Sequence, residues 1–470
     1  MYELKTNPWA HQWKALDYVM THDHAAVFTD MGTGKTKIMI DMIVNRHLPV
    51  TIVVGTKKSC TVWENEFKTH SNIPSNLICN LSNLSTKDKY AYLKENPLAA
   101  KNRAFQWVII VNYDSVWLKP FSDLLLKTKI DCIICDESHR LKSPSGKASR
   151  YISRLGKKIQ YRYILSGTPT PEAPTDIYGQ YRFLDPGIFG TNFGNFKNQY
   201  TNIDPVKSSF CGFPVLDSKQ PYKNLEDLKE KMYSCAFYAK SDVELPEVTH
   251  IDFEQYISDE AADIYKEIDR EGVYEDEDGI LETNNILAKC TRLQQLLSGY
   301  LSMEDESFTS HELFEKDRSK IEALEYILEE ISKDEKIVVF CKYRKDFDNI
   351  EELCKNLKRK YGEISGHRDD YSAWKNDKVN VIAVQYSSGS ESISLVEARY
   401  CIYYSHTFSY GQYQQSLKRT HRPGQHRPVT YYHIISKIRG RQTIDEKIKK
   451  ALSLKQSLSE YILENELPNN

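Results

Sequence analysis

Short runs of β-branched and aliphatic residues, each followed by a polar loop, recur between residues 25 and 165 as AAVFT, TIVV, WVIIV, DCIIC and YRYIL. Helix-like stretches such as KTKIMIDMIV lie between them. A continuous apolar run marks a strand buried on both faces, and strands alternating with helices mark a parallel α/β sheet. The pattern then stops. From about 186 to 320 the chain is loop-rich and then helical, with GIFGTNFGNF, a proline-bounded stretch to Pro246 and the acidic run EDEDG at 275–279. Alternation resumes with KIVVFC, YGEI, VNVIAV, YCIYY and VTYYHII, separated by helix-like segments such as Phe347 to Arg359. The residues after about 443 read as one closing helix. The pattern predicts two α/β lobes, at 1–185 and 321–470, with a mostly helical insertion at 186–320 between them.

Length and composition agree with that division. The 470 residues suffice for two or three domains with real cores, at 40% apolar and 27% charged. The apolar runs are about five residues long, against the roughly 20 that a membrane helix needs. The start, MYELKTNPWAHQW, has neither a basic end nor an apolar stretch, so the chain is expected to stay in the cytoplasm where it is made. Ten scattered cysteines fit free thiols in a reducing compartment. Cys132 and Cys135 should point to opposite faces of their strand and pack the core, not bind metal. With 63 basic and 65 acidic residues the net charge is −2, so no global positive field exists and any nucleic-acid site must be a local stripe. Lys336 to Lys345 and Lys418 to Arg427 are the candidate segments; alone, they read as solvated basic faces.

The chemistry begins at Asp30 to Thr36, DMGTGKT, which follows a strand and opens a helix. This is the context of a phosphate-binding P-loop. Gly32 and Gly34, with Thr33 between them, let backbone N–H groups approach phosphate oxygens, and the helix N-terminus adds positive dipole. Lys35 is placed to reach the β and γ phosphates of ATP, and the Thr36 hydroxyl to ligate Mg2+. Such a loop works with an acidic pair at the end of a neighbouring buried strand, which CIICDESH supplies as Asp136 and Glu137. Asp136 would hold Mg2+ through water, and Glu137 would orient and deprotonate the attacking water. The γ-phosphate also needs positive charge at the transition state. QSLKRTHRPGQ at 415–425 offers Arg419 and Arg422, three apart and on one face if helical.

Together DMGTGKT, DESH, LSGTPTPEAPTDIYGQYRFLDP at 165–186 and QSLKRTHRPGQ resemble the motifs of Swi/Snf-type DNA translocases, within the superfamily-two helicase-like ATPases. The likeness runs from His11-Gln12 to about residue 450. FYAKSDVELPEV at 237–248, LAKCTRLQQLLSGYL at 287–301 and SKIEAL at 319–324 also fit the family pattern. The resemblance implies two RecA-like lobes and ATP hydrolysis stimulated by nucleic acid. It implies that Gln12 contacts adenine and that Ser166, Gly167 and Thr168 couple hydrolysis to lobe movement. Thr56, Lys57, Lys58, Asn112 and Tyr113 in the first lobe match loops that grip the phosphate backbone. Lys342, Tyr343, Ser388 and Gly389 match the corresponding contacts in the second.

Two loops depart from the family. Thr56 and Lys58 stand where proline and serine are usual, and SSGSESISL replaces a glycine-rich, asparagine-containing loop, bringing Glu391 where a phosphate contact would be. The implied partner is double-stranded DNA, ahead of single-stranded DNA or RNA, and the implied activity is translocation without sustained strand separation. A strand-separating or branch-migrating helicase on the same core, and a nucleotide-gated DNA-binding protein with little turnover, are the alternatives. The short flanks look like those of a compact bacterial or phage-type member, working in a bacterial or phage-infected cytoplasm.

Overall fold

The computed structural model describes residues 2–463 apart from 31, 97–102, 207, 209–215, 218, 240–243, 272, 277–278, 283–285, 305–309, 313–316 and 387–392. The chain forms two compact units, Met1–Glu244 with Lys455–Asn470, and Leu245–Leu454.

The first unit is built on seven parallel strands: β1 (His24–Thr29), β2 (Val50–Gly55), β3 (Ile78–Asn80), β4 (Trp107–Asn112), β5 (Cys132–Cys135), β6 (Tyr161–Leu165) and β7 (Ala236–Ala239). They lie in the order β3-β4-β2-β5-β6-β1-β7. Alternate residues feed two helical layers. Ala25, Val27, Val53, Ile110, Cys132 and Ile134 pack under the helices Ala10–Thr21, Lys35–Asn45 and Lys57–His70. Ala26, Phe28, Val54, Ile109, Ile133 and Cys135 pack on the other side with Ile152, Tyr178 and Tyr181. Cys132 and Cys135 do face opposite layers, fully buried.

The second unit repeats the plan with β8 (Val248–Tyr256), β13 (Ile337–Cys341), β14 (Tyr361–Ile364), β15 (Val381–Gln385), β16 (Tyr400–Tyr403) and β17 (Val429–Lys437), ordered β14-β15-β13-β16-β17-β8 and all parallel. Two small antiparallel pairs, β9 (Val273–Asp276) with β10 (Gly279–Glu282) and β11 (Ser302–Glu304) with β12 (Ser310–Glu312), precede its core strands. The fold is thus α/β with two parallel-sheet lobes of the RecA-like kind. The stretch 186–320 is divided by strand pairing: β7 joins β1 in the first sheet, and β8 joins β17 in the second over nine residues. The closing helix is present as Ile444–Leu463. Among the described residues no helix is long and apolar enough to cross a membrane.

In a parallel sheet every strand ends on the same edge, and that carboxyl edge is where α/β folds bind ligands. Five adjacent strands of the first sheet, β4-β2-β5-β6-β1, end respectively at Asn112, Gly55, Cys135, Leu165 and Thr29. Each is followed by one of the motifs.

Candidate active site

The helix Lys35–Asn45 starts directly after a loop in which Gly32 and Gly34 have φ of +83° and +79°. At Gly34 a methyl group would also stand 2.2 Å from Gln12 Nε2, so a side chain there would be strained at its positive φ and would displace the Gln12 amide. That helix delivers Gln12, whose Nε2 donates to Thr33 O at 3.0 Å while its Oε1 accepts from Trp9 N at 2.9 Å. His11 Nε2 lies 2.9 Å from the same Thr33 carbonyl. Lys35 Nζ donates to the carbonyls of Thr29 (2.7 Å) and Asp30 (2.9 Å), and the Thr33 hydroxyl donates to Asp30 O at 2.7 Å. The first turn of the helix has no acidic residue and no side-chain cap, so its N–H groups present a positive end, with Thr36 half-buried beside it.

Asp136 and Glu137 follow β5. The sequence places this acidic pair on a strand neighbouring that of the P-loop. In the structure β6 lies between β1 and β5, because it pairs with both. The loop after β6 is the one that holds Ser166, Gly167 and Thr168, and it connects to the acidic loop. Glu137 Oε2 lies 3.4 Å from His139 Nδ1, which is 3.4 Å from Ser166 Oγ, and that hydroxyl accepts from Thr168 N at 3.1 Å. A second bridge runs through Gln180. Ser138 Oγ donates to Gln180 Oε1 at 2.7 Å, and Gln180 Nε2 donates to Pro169 O at 2.6 Å. Gln180 is fully buried. Its helix comes this close because residue 179 is glycine, where a Cβ would stand 2.0 Å from Leu141 O. Glu137 itself has φ +47° and ψ +51°, left-handed backbone that costs a non-glycine residue on the order of 1–3 kcal/mol.

Asp136 is also the anchor for the loops on the other side of β5. Its Oδ2 accepts from Trp63 Nε1 at 3.0 Å, its Oδ1 from Glu137 N at 3.0 Å, and its main-chain oxygen from the Tyr113 hydroxyl at 2.7 Å. Burial pushes the Tyr113 phenol well above its ordinary range, which keeps it a donor. The Tyr113 hydroxyl is therefore turned inward. Thr56 caps the helix Lys57–His70, accepting from Ser59 N at 3.2 Å, and Lys57 and Lys58 stand exposed in a first turn without acidic residues. Asn112 closes β4 at 8% exposure. Thr36 and Asp136 offer only oxygen donors, which suits Mg2+, a cation that keeps several waters and phosphate oxygens in its shell. Among the described residues no cluster of three or more His, Cys, Asp or Glu forms a ready-made cage.

In the second unit Lys342 and Tyr343 follow β13 and share one acceptor. Gln294 Oε1 receives Lys342 Nζ at 2.8 Å and the Tyr343 hydroxyl at 3.0 Å, while Gln294 Nε2 donates to His406 O at 2.8 Å. Burial lowers the Lys342 pKa, and the ammonium lies 4.9 Å from the Phe408 ring centre. Part of the charge of the two basic segments is compensated. Lys336 pairs with Asp377 at 2.6 Å, Arg344 with Asp348 and with Glu363 at 2.7 Å each, and Arg427 with Glu335 at 3.0 Å. Ser388, Gly389 and Glu391 lie outside the described residues.

Arg419 and Arg422 do not share a helical face. The helix Tyr410–Thr420 ends one residue after Arg419, and Pro423 and Gly424 (φ +101°) prevent its continuation. Arg419 is 2% exposed and donates from Nη1 to Ile393 O at 3.3 Å. The half-buried guanidinium of Arg422 makes no hydrogen bond or ion pair among the described residues, and burial lowers its pKa. Gln425 pins the turn that follows: its Nε2 donates to Ala398 O at 2.9 Å and to Val396 O at 3.0 Å.

Comparison with known proteins identifies the family of the chain. The SNF2-related domain matches residues 11–302, and the helicase conserved C-terminal domain matches residues 319–424. The chain belongs to the SNF2-related family. As an SNF2-related protein it is an ATP-hydrolysing, helicase-like enzyme. Protein p41 of Acyrthosiphon pisum secondary endosymbiont phage 1 is 24% identical to it over 97% of this chain and 98% of that one. DNA repair and recombination protein RAD54-like of Drosophila ananassae is 22% identical over 93% of this chain, and RDH54 of Saccharomyces cerevisiae 25% over 92%. The SNF2-related chain spans 59% and 50% of the lengths of those two relatives. The SWI2/SNF2 ATPase core of Sulfolobus solfataricus, solved in complex with dsDNA, matches over 98% of this chain and 94% of that one, at 19% identity and a TM-score of 0.41.

Sequence reasoning missed several residues of this SNF2-related site. The sequence marks His11 only as the neighbour of Gln12 and gives Trp63 no role of its own, although His11 contacts the P-loop and Trp63 the acidic pair. Gln180 gave one signal that could have found it: an amide inside the otherwise apolar helix IYGQYRFL.

Proposed function

We propose that the protein is an ATP-driven translocase on double-stranded DNA. The observation behind this reading is the position of Asp136, which bonds at once to Trp63, on the helix after Thr56–Lys58, and to Tyr113, beside Asn112. A change at the acidic pair is thereby transmitted to the loops that would hold the DNA backbone, while the His139–Ser166 contact transmits it along the edge toward the P-loop. The repair and recombination names of the eukaryotic relatives support a DNA track. Contacts to phosphate without base reading suit a motor that must pass over any sequence.

In this mechanism Gly32, Gly34 and Lys35 bind the phosphates, Gln12 faces adenine, and Thr36 with Asp136 holds Mg2+, which supplies charge neutralisation at the phosphates. Glu137 takes the proton from the attacking water. Arg422 stabilises the transferring phosphoryl, and Arg419, held on the Ile393 carbonyl, fixes the turn that presents it. Thr56, Lys57, Lys58 and Asn112 grip one strand, with Lys342 and Tyr343 as their second-lobe counterparts. Likeness to a phage protein supports work in the cytoplasm of a bacterial or phage-infected cell.

ATP turnover measured side by side with duplex, single-stranded DNA and RNA tests the reading. Duplex should stimulate most, with displacement of a triplex-forming strand and no unwinding of a forked duplex. Efficient separation of a long plain duplex, or stimulation by RNA alone, would overturn it.

A further inference from the structure

Lys89, on the helix Thr86–Glu95, is 1% exposed and has no carboxylate partner among the described residues. Its Nζ donates to Ser115 Oγ at 2.6 Å and to Asn112 Oδ1 at 3.4 Å. Burial pushes its pKa below the ordinary lysine value, and Lys57 nearby acts in the same direction. A buried ammonium with only neutral partners is costly to the fold, because the desolvation of its charge is not offset by an opposite charge.

What the lysine achieves is visible in the amide it touches. An ammonium has no acceptor, so the Asn112 atom facing it must be oxygen. Ser115 Oγ, having accepted from Lys89, has its proton left to give, and it donates to that same Oδ1. Asn112 is therefore locked in one orientation. Its Nδ2 has no partner among the described residues and is not among the fully buried orphan atoms, so the nitrogen has access to solvent from a side chain that is nine-tenths buried. Asn112 pairs in register with Gly55, which precedes the N-terminus of the helix Lys57–His70 and its exposed Lys57.

We infer that Lys89, with Ser115, is a positioning residue for a phosphate-binding site: it holds Asn112 with Nδ2 as a donor to a phosphodiester oxygen of the nucleic-acid backbone, and gains its counter-charge when that phosphate docks. The inference rests on the reading of Asn112 as a backbone contact. It adds a residue whose cost to the folded protein is returned on binding. Lys57 and the helix N-terminus complete the anion's surroundings.

The test uses the full chain and a fluorescent duplex of random sequence, with Lys89→Met, Asn112→Ala and the double variant. Lys89→Met should melt no lower than the parent, since it exchanges an unpaired buried charge for an apolar chain of similar length. It should nevertheless bind duplex roughly five- to twentyfold more weakly, and Asn112→Ala should do the same. The double variant should be no weaker than either single one, because the two residues act as a unit. If Asn112→Ala binds as the parent does, the backbone reading of Asn112 fails, and the inference with it. If Asn112→Ala is weakened while Lys89→Met binds normally, or if the two losses simply multiply, the role of Lys89 is overturned and that of Asn112 stands. A Lys89→Met chain that melts lower, with duplex affinity per folded molecule unchanged, would mark Lys89 as structural only. Ser115→Ala, which removes the bridging hydroxyl without touching the charge, should give a smaller loss in the same direction; no loss would overturn the bridge.

Discussion

In the first sheet five consecutive strand ends carry the candidate residues, and hydrogen bonds together with the Glu137–His139 contact lead from Tyr113 and Trp63 through Asp136, Glu137, His139 and Ser166 toward the P-loop strand. In the second sheet the corresponding residues are dispersed. Lys342 and Tyr343 sit at a strand end and are held by Gln294, whereas Arg419 and Arg422 lie where a helix stops, well away in sequence from any strand end that precedes them. The same architecture thus serves two designs. A parallel sheet gathers chemistry at its carboxyl edge automatically, since every strand ends there. A residue at a helix terminus has to be placed individually, by proline, a left-handed glycine and the Gln425 hydrogen bonds. The first design makes a network in which neighbours share consequences. The second leaves one guanidinium, that of Arg422, unengaged within the described residues while its companion is buried and bonded.

The sharpest way to break this contrast is to compare the two arginines. Arg422→Ala should retain the parent's melting temperature and nucleotide affinity yet lose roughly 10³ to 10⁵ in ATP turnover, the range of an arginine finger. Lysine should not restore it, since a point charge does not reproduce the planar fork. Arg419→Ala should also slow turnover but lower the melting temperature, through loss of a buried donor worth about 1–3 kcal/mol. Equal melting behaviour in the two variants would dissolve the distinction, and recovery of the parental maximum rate by Arg422→Ala at saturating duplex would remove it from the catalytic site.

The first-sheet network makes a different prediction about neighbours. Glu137→Gln keeps the backbone bonds around Asp136 and should bind ATP as the parent does while turning over about 10² to 10⁴ times more slowly, the range of a general base. Lys35→Ala should instead weaken nucleotide binding itself. Titration with a fluorescent nucleotide separates the two, and equal loss of binding in both would show that the acidic pair is misassigned.

The smallest effect concerns acid stability of the second unit, where His250, His406 and His433 stack in one row with Tyr403 and Tyr431. Burial lowers the pKa of all three below the ordinary 6.5; Lys449 adds to the effect at His250, and His406 and His250 add to it at His433. Folded, these rings stay neutral where the unfolded chain takes up protons. Their contribution to stability is therefore fully present above about pH 6.5 and falls as pH drops below it, by at most about 1.4 kcal/mol per pH unit for each excluded histidine. Urea unfolding from about pH 8 to about pH 5 should show this loss, and His433→Phe, which keeps the stack with Tyr403, should make it shallower. An unchanged slope in that variant would detach the effect from the row.

Much of this molecule could be read from its sequence, and the reason is local. The strands β1, β2, β4, β5, β13, β15 and β16 are buried on both faces and therefore appear as apolar runs that need no partner to be recognised. DMGTGKT and DESH likewise hold their chemistry within a few consecutive residues. β8 was not legible: VTHIDFEQY is polar and mostly exposed at the sheet edge, and only its nine-residue register with β17 makes it a strand. β7 was missed for a similar reason, being four residues that gain meaning beside β1.

The sequence by itself determined the strand-helix rhythm, the glycine-rich turn that opens the helix after β1 and the acidic pair that follows β5, because each depends on residues adjacent in the chain. Tertiary structure alone decided that β6 stands between β1 and β5, and that Arg422 lies beyond its helix. It also decided that Trp63, Tyr113, Gln180 and Lys89 bond to residues 23 to 73 positions away. Those contacts are side-chain hydrogen bonds from helices and loops to the residues at strand ends, and strand order is set by which apolar faces pair, which no short segment encodes.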